Sequence, residues 1–119
     1  MWSMLSGRDC LFCQIVEGKS SSEKVWEDES FLAIKNKYPK APIHLLVLPK
    51  KHESKAELVK GGKSSLYDQM MEAVFAVVRD QGLDKTGYKL VNNGGGYNHF
   101  DHEHIHVMGG SKTEPGGES

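Results

Sequence analysis

Three histidines stand at alternate positions in His102-Glu103-His104-Ile105-His106-Val107-Met108, half of the six in the chain. In an extended strand alternate side chains share a face, so His102, His104 and His106 line one side at ~6.5–7 Å spacing, while Glu103, Ile105 and Val107 take the other. Imidazole exchanges protons near neutral pH and can act as a nucleophile or a metal ligand. Two kinds of chemistry fit such a row: one metal held by all three rings, or a nucleophile flanked by helpers. A lone strand histidine is ordinarily a packed or solvated side chain, but titratable clusters of this kind are typical of sites. Cys10 and Cys13 form a second pattern, CxxC, whose two sulfurs can reach one ion or act as a redox pair.

The elements that must position these groups fit a single domain, because 119 residues leave room for one core. Residues 1–9 read as a loose leader, 10–110 as the domain and 111–119, rich in Gly, Ser, Pro and Glu, as a flexible tail. The formal charge of −1 and the lack of a basic block argue against a nucleic-acid partner. No apolar run approaches membrane-spanning length and the first residues do not read as a signal peptide, so no membrane is expected and the cytoplasm is the expected location. A reducing compartment also favours metal or redox chemistry for the cysteines over a structural disulfide.

Along the chain, residues 10–16 suit one helical turn, and Lys24-Val25-Trp26-Glu27 and Phe31-Leu32-Ala33-Ile34 read as a hairpin about Asp28-Glu29-Ser30. The apolar run His44-Leu45-Leu46-Val47-Leu48 suits a strand covered on both faces and ended by Pro49. Ser64 is placed to cap a helix running to about Gln81, with Gly82 as its stop. Leu66, Met70, Ala73, Val74, Val77 and Val78 share one face of that helix at helical spacing. Tyr88-Lys89-Leu90-Val91 is a fourth strand, and the fifth carries the histidines. Gly94-Gly95-Gly96 between them is a turn, or a place for backbone amides to approach a phosphate. Hairpins around one long helix, without regular strand–helix alternation, indicate an α+β domain with an antiparallel sheet, a setting unlike that of thioredoxin-type CxxC motifs.

The histidine row with Val107 and Met108 resembles the HxHxHxx signature of the histidine triad (HIT) family of nucleotide hydrolases and transferases. The similarity extends through Cys10-Leu11-Phe12-Cys13-Gln14-Ile15-Val16-Glu17-Gly18, Trp26-Glu27-Asp28-Glu29 and Ala41-Pro42-Ile43-His44-Leu45-Leu46-Val47-Leu48-Pro49-Lys50-Lys51-His52, and looks strongest to the Hint branch, whose members act on nucleoside 5′-phosphoramidates and related adenylyl compounds. The resemblance implies a HIT-like fold: a five-stranded antiparallel sheet with one long and one or two short helices, paired edge to edge in a homodimer. It implies that His104 attacks an α-phosphorus to form a nucleotidyl-histidine, that His106 donates to a phosphate oxygen, and that Cys10, Cys13, His52 and His102 hold one structural zinc.

A purine nucleotide, adenosine by preference, is then the expected ligand, in a cleft walled by Phe12, Ile15 and Ile34 with Asn36 at the ribose and Asn92 near the phosphate. The same three apolar residues also read as plain core. Glu103 stands where the family usually carries an apolar residue, implying a wetter strand back or a paired cation. Asn36 replaces a ribose-holding aspartate, and Asn98-His99 replaces Gln-Ser, which makes His99 a candidate acid for the leaving amine or, alternatively, a solvated loop residue. Competing readings are a dinucleoside polyphosphate hydrolase, a cupin-type site with three histidines on one metal, and a non-catalytic nucleotide- or metal-binding protein.

Overall fold

A computed structural model describes residues 10–112. The leader at 1–9 and all but the first two residues of the tail lie outside the described residues. Helix α1 (Leu11–Val16) precedes the hairpin of β1 (Lys24–Glu27) and β2 (Phe31–Lys35), and β3 (Ile43–Pro49) follows. Two short helices, α2 (Lys55–Leu58) and α4 (Leu83–Thr86), flank the long helix α3 (Ser64–Asp80). Strand β4 (Tyr88–Val91), a single 3-10 turn at Gly95–Tyr97 and β5 (Ile105–Gly109) complete the order. The five strands form one sheet, β1-β2-β3-β5-β4, and every neighbouring pair is antiparallel.

Period two divides the sheet between two cores. Phe31 and Ala33 of β2, Leu45 and Val47 of β3, and Ile105 and Val107 of β5 face α3, which contributes Met70, Ala73, Val74, Val77 and Val78. Those helix positions recur at three- and four-residue spacing, the stripe needed to meet a sheet. Leu32, Ile34, Leu46 and Leu48 point the other way and pack with Phe12 and Ile15 of α1. Burial on both faces is why β3 is apolar almost throughout.

Two sequence expectations, the Ser64 cap and the extent of β5, differ from the structure. Ser64 is the first helical residue of α3, with Lys63 at the cap position and no side-chain cap bond. Gly82 does end the helix, at φ 73°, where any Cβ would be strained. Pro49 does end β3, as its last residue, opposite Phe31, where the ladder needs no N–H from it. Most consequentially, β5 starts at Ile105, so His102 and His104 precede the regular ladder and only His106 is within it. His102 makes an isolated bridge with Ser54 instead.

Candidate active site

The N-terminal turn and the segment after β3 meet the histidine row at one corner. Cys10 is the N-cap of α1, its Sγ accepting the Cys13 N–H at 3.3 Å, so the start of the helix holds both sulfurs on one side. Cys10 Sγ lies 3.2 Å from His102 Nδ1, and Cys13 Sγ lies 3.3 Å from His52 Nδ1 and 3.4 Å from His102 Nδ1. All four donor atoms lie within 4.8 Å of one another. Sulfur and nitrogen ligands of a tetrahedral ion are separated by ~3.5 Å when the bonds are ~2.3 and ~2.0 Å, so these spacings suit four ligands around one centre. His102 Nε2–H donates to the Pro49 carbonyl at 2.7 Å, which leaves Nδ1 bare and directed at the sulfurs. Burial, with the neighbouring Cys10, pushes the Cys13 thiol up to about 12, and burial lowers the His102 imidazole to about 4. Burial thus favours the neutral forms of Cys13 and His102, which a cation would convert to ligands.

His104 is held differently. Its Nδ1–H donates to the carbonyl of His102 at 2.8 Å, so Nε2 carries the free lone pair. Burial holds its pKa below the ordinary histidine range, partly offset by that carbonyl bond, and the ring is neutral at pH 7. Phe12 packs edge-on against both His102 and His104, with ring centroids 5.7 and 5.1 Å away.

His106 has a partner that the sequence reading did not single out. His44 on β3 shares its face of the sheet, and His44 Nε2 lies 2.9 Å from His106 Nδ1. The Lys40 backbone N–H donates to His44 Nδ1 at 3.0 Å, so the His44 proton resides on Nε2 and is donated to His106. The remaining His106 proton is thereby placed on Nε2. Asn36 Nδ2 also lies 3.2 Å from His44 Nε2, but two N–H groups cannot bond each other, so this is a close contact only. Burial, then the nearby His104, His44 and Lys40, lowers His106 to about 4, while burial and Lys40 lower His44. The signal available in the sequence was the period-two match of His44 to the apolar face of β3, which pairing with β5 converts into a contact 62 residues away.

The two rings border a cavity of about 600 Å³, whose wall also includes Asn36, Lys40, His99 and Phe100. Residues 9–119 match the family described as scavenger mRNA decapping enzyme C-term binding. An uncharacterized HIT-like protein of Chlamydia muridarum (strain MoPn / Nigg) is 43% identical over 103 residues, 84% of this chain and 80% of that protein. The chain belongs to the histidine triad family. Among solved structures, a histidine triad protein from Clostridium difficile superposes with a TM-score of 0.81 at 34% identity, covering 89% of this chain and 94% of that one. A HIT family hydrolase from Legionella pneumophila Philadelphia 1 gives 0.78 at 33% identity, covering 86% and 93%. At this level the triad fold here is hydrolase-like, and no helix among the described residues is long and apolar enough to cross a membrane.

The triad geometry sorts the expected ligand residues. Asn36 and His99 do border the cavity, Asn36 with Oδ1 turned back to accept the Tyr38 N–H at 2.9 Å. Phe12, Ile15 and Ile34 belong to the buried cluster under α1, and Phe12 reaches the site through the His102 and His104 rings it braces and through the cavity-wall ring of Phe100, 4.9 Å away. Leu46, Val91 and Met108 supply apolar wall in their stead. Asn92 is also displaced from its expected place, because its side chain turns to the back of the histidine row, where Nδ2 donates to the His104 carbonyl at 2.9 Å and to Glu103 at 3.1 Å. Asn93, one residue on, faces the cavity. Glu103 has the cation that its position called for: Lys55 Nζ is 2.8 Å from its carboxylate.

Proposed function

We propose that this protein is a nucleotide hydrolase that cleaves adenosine 5′-phosphoramidates or related adenylyl compounds through a covalent bond to His104. The observation that carries this reading is the tautomer: Nδ1 of His104 is committed to a backbone carbonyl and Nε2 is left unprotonated beside a cavity of ligand size. In the first displacement Nε2 attacks the α-phosphorus, the P–N bond breaks, and the amine leaves with a proton supplied from the cavity side, where His99 stands. In the second, water adds to phosphorus, the N–P bond to His104 breaks, and the nucleoside monophosphate is released with the ring regenerated. His106 Nε2–H donates to a phosphate oxygen in both steps, and Lys40 adds positive charge. Asn36, on the cavity wall, is the residue we assign to the ribose.

Two thiols with two imidazoles suit zinc, and a closed four-ligand set suits a structural ion. When bound, it ties α1 to the catalytic segment. The position of the four-residue strand β4 at the end of the sheet, beyond β5, suits a second copy of the chain in an edge-to-edge homodimer. Tyr38 and Tyr97, 80% and 81% exposed on the cavity rim, support the alternative of a dinucleoside polyphosphate, whose second base they would stack. Turnover of adenosine 5′-phosphoramidate, diadenosine polyphosphate and adenylylated lysine by the purified protein tests the proposal. The phosphoramidate is expected to be turned over with the highest kcat/KM, and absence of hydrolysis of all three would refute it.

A further inference from the structure

The segment that carries His104 lacks the ladder bonds of a regular strand, since pairing of β5 begins at Ile105 with Val47 on one side and at His106 with Val91 on the other. Other groups satisfy it. The Glu103 N–H donates to the Glu53 carbonyl at 2.7 Å, and the His104 carbonyl accepts from Asn92 Nδ2. The Glu103 side chain is 1% exposed, yet its Oε2 accepts from the Tyr67 hydroxyl at 2.6 Å, the Lys55 ammonium at 2.8 Å and Asn92 Nδ2 at 3.1 Å. Lys55 also donates to Asn92 Oδ1, closing the cluster. Burial and the adjoining carboxylate push the Tyr67 phenol well above its ordinary range, so it remains a donor. Four residues from α2, α3, the end of β4 and the approach to β5 thus converge behind the reacting ring.

We propose that Glu103, Lys55, Tyr67 and Asn92 act as a positioning cluster that sets the aim of the His104 imidazole. The ring hangs by Nδ1–H from the carbonyl of His102, two residues back, so its direction depends on how the peptides on either side of Glu103 are turned. The bond to the Glu103 N–H fixes the 102–103 peptide that carries the His102 carbonyl, the bond to the His104 carbonyl fixes the 104–105 peptide beyond the ring, and the Glu103 carboxylate anchors the residue between them. A buried ion pair is a poor source of net stability, because an apolar pair of similar volume commonly does as well. Alignment of a nucleophile is another matter: a displacement on the order of 1 Å can cost about a hundredfold in rate. The inference rests on the hydrolase reading for its kinetic arm alone.

Two variants test it, Asn92→Ala and the double variant Lys55→Met/Glu103→Leu, the second removing both charges together. Turnover of adenosine 5′-phosphoramidate is measured with metal content, thermal melting and the ¹⁵N–¹H resonances of the His104 ring. Both variants are expected to stay folded with metal retained, to keep KM within about twofold, and to lose about 10- to 100-fold in kcat, with the His104 Nδ1–H resonance shifted or broadened. A kcat within twofold of the parent protein would overturn the proposal, as would a loss accounted for by folded fraction or metal content with the His104 resonance unmoved. Should the double variant fail to fold, Asn92→Ala decides alone. If the parent protein hydrolyses nothing, the hydrolase reading fails by itself, and the ring resonance decides this one: displacement in the variants supports it and constancy overturns it.

Discussion

The two faces of the sheet are built from the same strands and do different work. Toward α3, β2, β3 and β5 present Phe31, Ala33, Leu45, Val47, Ile105 and Val107, an apolar surface met by an apolar helix stripe. Toward the opposite side, the same β3 and β5 present His44 and His106, and the approach to β5 adds His102 and His104. Alternation of side chains lets one strand serve stability and chemistry at once, so the two properties should be separable by mutation. Glu103 breaks this division, a charged residue on the structural side whose partners Lys55, Tyr67 and Asn92 stand behind the histidine row.

The largest effect expected is on the chemical face. His104→Ala should reduce turnover on the order of 10³-fold or more while the melting temperature stays near that of the parent protein; a variant still working near the parental rate would remove the proposed nucleophile. On the other face, Met70→Ala opens a cavity in the α3 core and should cost about 2–5 kcal/mol of stability with activity per folded molecule unchanged. Denaturant titration beside an active-site titration checks both halves of that statement. Chelation acts where the faces are tied together, and should lower the melting midpoint on the order of 10 °C and abolish turnover, reversibly on adding zinc back. A chelated protein that melts unchanged would show that the corner is two thiols and two imidazoles and nothing more. A smaller effect is expected for His44→Ala, about tenfold in kcat, or ~1.4 kcal/mol of barrier, because His106 then loses the donor that selects its tautomer.

The smallest expected effect is on acid stability. His106 titrates at about 4 in the fold against 6.5 for an exposed ring, chiefly because it is buried, so its protonation favours the unfolded chain. The stability it lends is full above pH 6.5 and is lost as the pH falls from 6.5 toward 4. Melting scans across that window should show the decline, and His106→Gln should flatten part of it.

The sequence carried more of the structural face than of the chemical one. The helix stripe from Met70 to Val78 and the strand Tyr88–Val91 follow from local period, and local period is written in consecutive residues. The cysteine pair was legible through its spacing and the two distant histidines through family resemblance. What escaped was set by register between remote strands. That His44 meets His106 depends on β3 pairing with β5, and that Asn92 turns behind the row, leaving Asn93 at the cavity, depends on where β4 stops. Phe12, Ile15 and Ile34 had the chemistry of a nucleoside wall and of a core in equal measure, and only their place under α1 separates the two.

The corner that joins Cys10 and Cys13 to His102 closes the chain across 92 and 89 residues. Contacts that distant form late, since the entropy of bringing the ends together must be spent before any of it is recovered. In a chain made from its N-terminus, the two thiols emerge 92 and 89 residues ahead of His102. Until His102 follows, they have each other, His52 once it is made, and whatever oxidant or ion the surroundings supply. Synthesis of the approach to β5, which brings in His102 and His104 together, therefore marks both the end of that exposure and the point at which the proposed site can first assemble.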